Sequence, residues 1–461
     1  MSTNKETVLS PERKIPLKEQ LVYTLTEVGL NPIYTIFAMY LVYFYTDIMH
    51  VSPAAVGVIL LISKIFDGVT DLIAGTLIDH THTKWGSARP WVLRMAIPLA
   101  IGYILLVTVP NVSDIGKLVY IFVSYNLSVS VIYTMSEGAT NALPAYMTRD
   151  NKTRSSAYAL RFFVAVVVQT VFALFFLQII DKLGGGQKGW IMATTIFAVI
   201  AALAYLGIFL GTKEAVVSDD SGKEDVPLFE ALKALLKNKY WFIAVGVNFT
   251  TVLHQIVILT VGVYYAKYIL GDPKLAGVLT MYHNVPSMVI MFLLPFALQK
   301  GLSKRNVVMW SGLCMLLGSL ISIFKADGAA FVIAMGLRGI GFGGAIGVYQ
   351  GMIADSIEYG EWKTGLRTSA VITSGGGLGQ KIGSAIGSAI IGFALSSSGY
   401  DGALEVQGDA AISMIRFLFI VVPIIVYIAT IVLGYFYKLE KDYPAIVKEL
   451  DERHEKAVQN A

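Results

Sequence analysis

A single cysteine, Cys314, in 461 residues excludes any disulfide within the chain and any cysteine-built metal cluster. Charged side chains are scarce at 15%; a soluble globular chain carries about 25%, so an ordinary soluble protein is excluded as well. The polar N-terminus lacks the basic-then-apolar pattern of a cleaved signal peptide, which leaves the first apolar segment as the insertion signal. No phosphate-binding loop, nucleophile elbow or metal-binding cluster occurs, so no enzymatic activity, ATP use or cofactor is expected. The glycines of SGGGLGQKIG lie in an apolar stretch, where close helix contact explains them better than phosphate binding. Period-two alternation is also missing, which argues against a β-barrel.

What the chain has in abundance is apolar length. It is 55% hydrophobic with a mean hydropathy of +0.64. Apolar segments fall at 23–47, 53–78, 90–110, 117–147, 156–180 and 190–211, then at 240–270, 274–299, 306–325, 328–354, 368–398 and 411–437. About 20 apolar residues suffice to cross a bilayer as a helix. The expectation is therefore an all-α polytopic protein of twelve transmembrane helices in two six-helix halves, 23–211 and 240–437. A polar loop at 212–239 separates them, with a short amphipathic helix in LFEALKALL; polar segments at 1–22 and 438–461 flank the halves. Basic residues sort by side: Lys84, Arg89, Arg149, Lys152, Arg154, Lys304 and Arg305 fall on one set of loops, Lys117, Lys182 and Lys188 on the other. The positive-inside rule then places both termini in the cytoplasm and the protein in the cell (inner) membrane. The net charge of +4 follows from this sorting and does not indicate a nucleic-acid partner.

Within the second segment Asp67 and Asp71 are four residues apart, so both carboxylates share one helix face. Ionisable groups in a span cost about 2.5–3.5 kcal/mol at the helix centre and mark ion or substrate paths. Two such carboxylates cannot both stay ionised without a proton or cation between them. Lys64, three residues before Asp67, is positioned to pair with it.

Two six-span halves around a cytoplasmic loop is the layout of the major facilitator superfamily, whose halves alternate access to a midplane site. The loop after the second segment, GTLIDHTHTKWGSARP with Asp79 and Arg89, resembles the superfamily's signature loop. A related passage, ADSIEYGEWKTGLRTS, carries Asp355, Glu358, Glu361 and Arg367. Acidic and basic groups at those helix ends are expected to serve coupling and gating.

Six pieces in register make the resemblance more specific: YFYTDIMHVSPAAVG, KIFDGVTD, TKWGSARPW, LRFF, IADSIEYGEWKTGLR and GQKIGSAIG. Together they resemble the glycoside–pentoside–hexuronide:cation symporters, the melibiose-carrier group, over essentially the whole chain. The resemblance implies a cation site at Asp67 and Asp71 with Thr70 and Thr134, taking Na+ or H+, and no metal beyond that ion. It implies a sugar site at Arg161, Glu137, Tyr133, Asn31 and Asn141, with Glu27 one turn before Asn31. A structural Glu137–Arg161 ion pair is the alternative role for those two. Lys381, in the eleventh segment, is implied to neutralise the aspartates from the other half and to couple ion to substrate.

The chain departs from the melibiose carriers where they hold galactosides. Asn31 stands for an aspartate, Asn141 and Ile346 for pocket tryptophans. The expected activity is symport of a different glycoside, pentoside or uronide, by a carrier that works as a monomer. A carrier of an amphiphilic lipid or drug-like solute on the same fold is the alternative. Arg94, Arg338 and Arg416 are expected near span ends, meeting headgroups or loop carboxylates; His254, His283, Gln350 and Lys267 are candidates to line the second half of the cavity, with a satisfied structural role the commoner one for a histidine in an apolar helix.

Overall fold

The computed structural model describes residues 10, 12–216, 228–324, 328–366, 368, 372 and 375–459. Among these the chain is helical, with no strand and one isolated bridge between Thr83 and Gly86. It divides into two compact units. The first takes Met1–Gly222 with Asp272–Gly277 and Gly392–Gly408; the second takes Lys223–Gly271, Val278–Ile391 and Asp409–Ala461.

The helices of the first unit are α1 (Leu17–Ile48), α2 (Pro53–Asp79), α3 (Arg89–Val107), α4 (Asp114–Met147), α5 (Asn151–Lys182) and α6 (Gly186–Gly211). Those of the second, with α9 and α12 assigned by their larger parts, are α7 (Leu228–Leu236), α8 (Lys239–Tyr268), α9 (Leu275–Gln299), α10 (Lys304–Phe324), α11 (Gly328–Thr364), α12 (Leu378–Ser397), α13 (Asp409–Phe436) and α14 (Leu439–Gln459). Eleven helices among the described residues, all but α2, α7 and α14, are long and apolar enough to cross a membrane. α2 adds 27 residues carrying Lys64, Asp67 and Asp71, about 40 Å of helix at 1.5 Å per residue.

Several boundaries differ from the sequence expectation. α1 begins at Leu17, inside the polar segment expected at 1–22, because Pro16 starts the helix with the φ it favours. The tail is a helix, α14, whose buried Ile446 and Leu450 join the core formed with α11. α12 is continuous from Leu378, with Lys381 four residues into it; Ile372, Gly375 and Gly376 before it are helical as well.

Local sequence explains the helix ends and irregularities. Ser113, Asp150 and Asn238 cap α4, α5 and α8 by accepting from Gly116, Thr153 and Trp241 N–H. Gly86, at φ 105°, makes the turn into α3. Proline lies inside α1, α3, α4 and α9 at Pro32, Pro98, Pro144, Pro286 and Pro295, and π-helical turns interrupt α4 at Asn126–Tyr133 and α13 at Phe417–Val421.

In a bilayer the polar groups freed by such breaks must find internal partners. Buried tyrosines supply many. Tyr40 and Tyr45 donate to Ala173 O (2.7 Å) and Leu106 O (3.0 Å), clamping α1 to α5 and α3. Outward, Ile97, Phe292, Phe296 and Ile425 are exposed, a surface suited to lipid.

Candidate functional site

The first unit gathers most of the expected site. Arg161, on α5, donates from Nε to Glu27 Oε1, and from Nη1 to Tyr23 OH (2.9 Å) and Asn141 Oδ1 (2.5 Å). Asn31 Nδ2 donates to the second Glu27 oxygen. Tyr23 passes the chain on by donating to Thr140 O at 3.0 Å. Glu27 and Asn31 are buried, so this pair and its hydrogen bonds are fixed with little solvent screening. The ion pair weighed between Glu137 and Arg161 is thus replaced by Glu27–Arg161. Glu137 instead lies within electrostatic range of Arg161, Glu27, Asp71 and Lys64. Tyr133 stacks edge-on against Phe37, ring centroids 5.2 Å apart, and Phe37 in turn meets Tyr34.

Pro32 shapes this corner. It lies between Asn31 and Ile33 and interrupts the α1 ladder. The Tyr103 hydroxyl, from α3, enters there, donating to Gly29 O (2.6 Å) and accepting from Ile33 N–H (2.9 Å). Nothing in the sequence singled out Tyr103, which is fully buried.

The expected cation site is only partly assembled. Asp67 is buried and doubly held, by Lys64 Nζ (2.7 Å) and by Ser130 Oγ. Ser130 sits in the π-helical stretch of α4, beside Asn126, whose amide donates to Ser63 Oγ at 2.9 Å. Asp71, one turn on, is exposed within α2. Thr70 and Thr134 do not direct their hydroxyls at the aspartates. Each donates within its own helix, to Phe66 O (3.0 Å) and Val129 O (3.3 Å), the usual outlet for a threonine inside a helix. The hydroxyl met at Asp67 is therefore that of Ser130, itself beside Asn126 Oδ1 at 3.3 Å, and the sequence reading missed both.

At the ends of the helices, Asp79, Arg89 and Asp355 each have a partner inside their own unit. Asp79 accepts from Tyr146 OH (3.0 Å), and Arg89 donates to Phe209 O (2.7 Å) while lying 4.9 Å from the Phe209 ring. Asp355 takes Lys304 Nζ on both oxygens (2.7 and 2.5 Å) and Tyr437 OH (2.9 Å). Glu358 is half-buried and Glu361 buried on the same helix. Lys381 is half-buried in the second unit. Arg367 lies outside the described residues.

Two further carboxylates repeat one device. Glu214, three residues past α6, accepts from the backbone N–H groups of Ser87 (2.7 Å), Ala88 (3.0 Å) and Arg89 (2.6 Å) at the start of α3. Glu440 does the same for Lys304 (2.6 Å) and Arg305 (3.1 Å) at the start of α10. Each carboxylate meets the positive end of a helix dipole. Burial nonetheless holds the Glu214 carboxyl above its usual range, the amides and Arg89 pulling the other way. The sequence signal was slight: a lysine and a glutamate within a few residues of the last apolar segment of each half, TKE and KLE.

Residues 22–441 match the profile of the family described as MFS/sugar transport protein. The chain belongs to that family. The transporter is 32% identical over 450 residues to the isoprimeverose transporter of Lactiplantibacillus pentosus, covering 95% of this chain and 92% of that one. It is 28% identical to the inner membrane symporter YicJ of Escherichia coli K12, with 91% of both chains covered. In fold it is similar to the crystal structure of the nucleoside transporter NupG, with a TM-score of 0.64 at 13% identity over 92% of this chain and 99% of that one. The resemblance to the glycoside–pentoside–hexuronide:cation symporters thus holds. The protein is a major facilitator transporter, not an enzyme, and a multi-pass protein of the cell membrane whose relatives carry sugars and glycosides.

Proposed function

We propose that the transporter imports a neutral glycoside together with a cation, Na+ or H+, by alternating access, through twelve spans with both termini in the cytoplasm. One observation carries the coupling. Glu137 lies within electrostatic range of Arg161 and Glu27 on one side and of Asp71 and Lys64 on the other. A carboxylate placed between two charged clusters feels the occupancy of both. A cation bound at Asp67 and Asp71 lowers the local negative charge and favours Glu137 as an acceptor for sugar hydroxyls. Coupling of this kind is reciprocal, so sugar strengthens cation binding by the same factor.

The charge balance favours a neutral cargo. The Arg161 guanidinium is already paired with Glu27, so Arg161 is not free to take a uronide carboxylate. Asn31, Asn141, Tyr23 and Glu137 offer donors and acceptors suited to hydroxyls, and a disaccharide such as isoprimeverose suits such a pocket. Lys381 acts from the second half in coupling, as do Asp79, Arg89, Asp355, Glu358, Glu361 and Arg367 in gating. The carrier works as a monomer and needs no resident cofactor.

Uptake into proteoliposomes tests this reading. Isoprimeverose, a glucuronide and a lysolipid are offered under a sodium gradient, a pH gradient or neither. Accumulation of the neutral sugar above its equilibrium level under one cation gradient is the expected result. Accumulation driven only by the cargo's own gradient, or confined to the lysolipid, rejects the proposal.

A further inference from the structure

Arg338 lies ten residues into α11, inside a membrane-spanning helix and fully buried, about 15 Å along the axis from the helix start. The expectation that it sits near a span end, among headgroups, is not met. Its Nη1 donates to Phe419 O at 3.3 Å, and its guanidinium lies 5.1 Å from the Phe419 ring. That carbonyl lacks the usual helical partner four residues on, because residue 423 is proline. Nε and Nη2 have no partner among the described residues. These two nitrogens share one edge of the planar guanidinium, the edge that grips an anion with two parallel N–H donors.

Charge is the larger deficit. Arginine stays protonated in proteins, and a buried ion without a counter-charge costs several kcal/mol. No Asp or Glu among the described residues forms an ion pair with Arg338. The polar groups nearby do not supply the charge either. Gly339, the next residue, lies directly against the His283 backbone, and both His254 and His283 are within electrostatic range of Arg338.

The histidines belong to one directed chain. Tyr427 OH donates to His254 Nδ1 (2.6 Å), His254 Nε2–H to His283 Nε2 (2.9 Å), and His283 Nδ1–H to Asn284 Oδ1 (3.0 Å). Every imidazole nitrogen is used with both rings neutral, since Asn284 Oδ1 can only accept. The wall beside the arginine is therefore polar but uncharged. Water could satisfy the two N–H donors; only an anion could also balance the charge.

We propose that the second unit holds a buried site for a small monovalent anion of the chloride class, gripped by Nε and Nη2 of Arg338. The site is separate from the Asp67–Asp71 pair and from the Glu27–Arg161 cluster, both of which belong to the first unit.

The purified full-length carrier tests it at constant ionic strength, with gluconate exchanged stepwise for chloride or bromide while unfolding temperature is followed. A saturable rise is expected in the wild type, following the occupancy of one site, and its loss in Arg338→Gln. An equal rise in both proteins marks a general salt effect and overturns the proposal. Should Arg338→Gln fail to fold, bromide diffraction on the wild type decides. An anomalous peak beside Nε and Nη2 supports the site; no peak there, with no halide-specific shift, assigns the edge to water and rejects it.

Discussion

Tyr103 fills the gap that Pro32 opens in the first span. Its hydroxyl bridges Gly29 O and Ile33 N–H, and Gly29 lies two residues from both Glu27 and Asn31. Tyr103→Phe keeps the ring and strips that bridge, leaving buried backbone groups unpaired at about 1–3 kcal/mol each. The variant should unfold at lower temperature, and its sugar KM should rise while its expression in the membrane stays near normal. A wild-type KM would show that the bridge holds the helix without shaping the pocket.

Removing one member of the Glu27–Arg161 pair strands a buried charge, at about 3–5 kcal/mol. Glu27→Gln and Arg161→Gln should each destabilise strongly, and the double variant less than the sum of the two. A double-mutant cycle on chemical unfolding reads the coupling directly. Additive losses would mean that the two side chains do not depend on each other.

Asp71→Asn should abolish concentration of sugar against its gradient yet leave exchange of sugar across the membrane measurable. Asp67→Asn should do the same and also release Lys64 and Ser130 from their shared acceptor. Counterflow beside gradient-driven uptake separates the two effects. Undiminished uphill uptake in either variant would remove that aspartate from the cation site.

Glu214 gives a pH dependence with a defined sign. Its folded carboxyl is held above the usual range by burial, so the folded state favours the protonated form. Its contribution to stability is full below the ordinary carboxylate range, about pH 4, and declines as pH rises through the raised folded value. The stability advantage of wild type over Glu214→Gln should therefore shrink as pH rises. Thermal unfolding of both proteins at a series of pH values checks this; a growing advantage would contradict the assignment.

The spans, the family and the Asp67–Asp71 pair are legible in the sequence because each is local: apolar run length, six short passages, one helical turn. The partners are not. Arg161 reaches Glu27 across 134 positions and Ser130 reaches Asp67 across 63, and no local period specifies which helix faces which. The π-helical stretch at Asn126–Tyr133 breaks the 3.6-residue spacing and so re-aims Ser130 and Tyr133 relative to Thr134. Arg338 departs from its expected place for a related reason. Apolar runs locate a helix but not the depth at which one of its residues lies.

Glu214 ties the chain just past α6 to the start of α3, and Glu440 ties the start of α14 to the start of α10. Both ties lie outside the covalent bridge at 217–227. Neither therefore needs the bridge to be continuous. A gene cut within that stretch would yield two polypeptides, each closing its own bundle, and co-expression of the pair should restore transport that neither fragment performs alone.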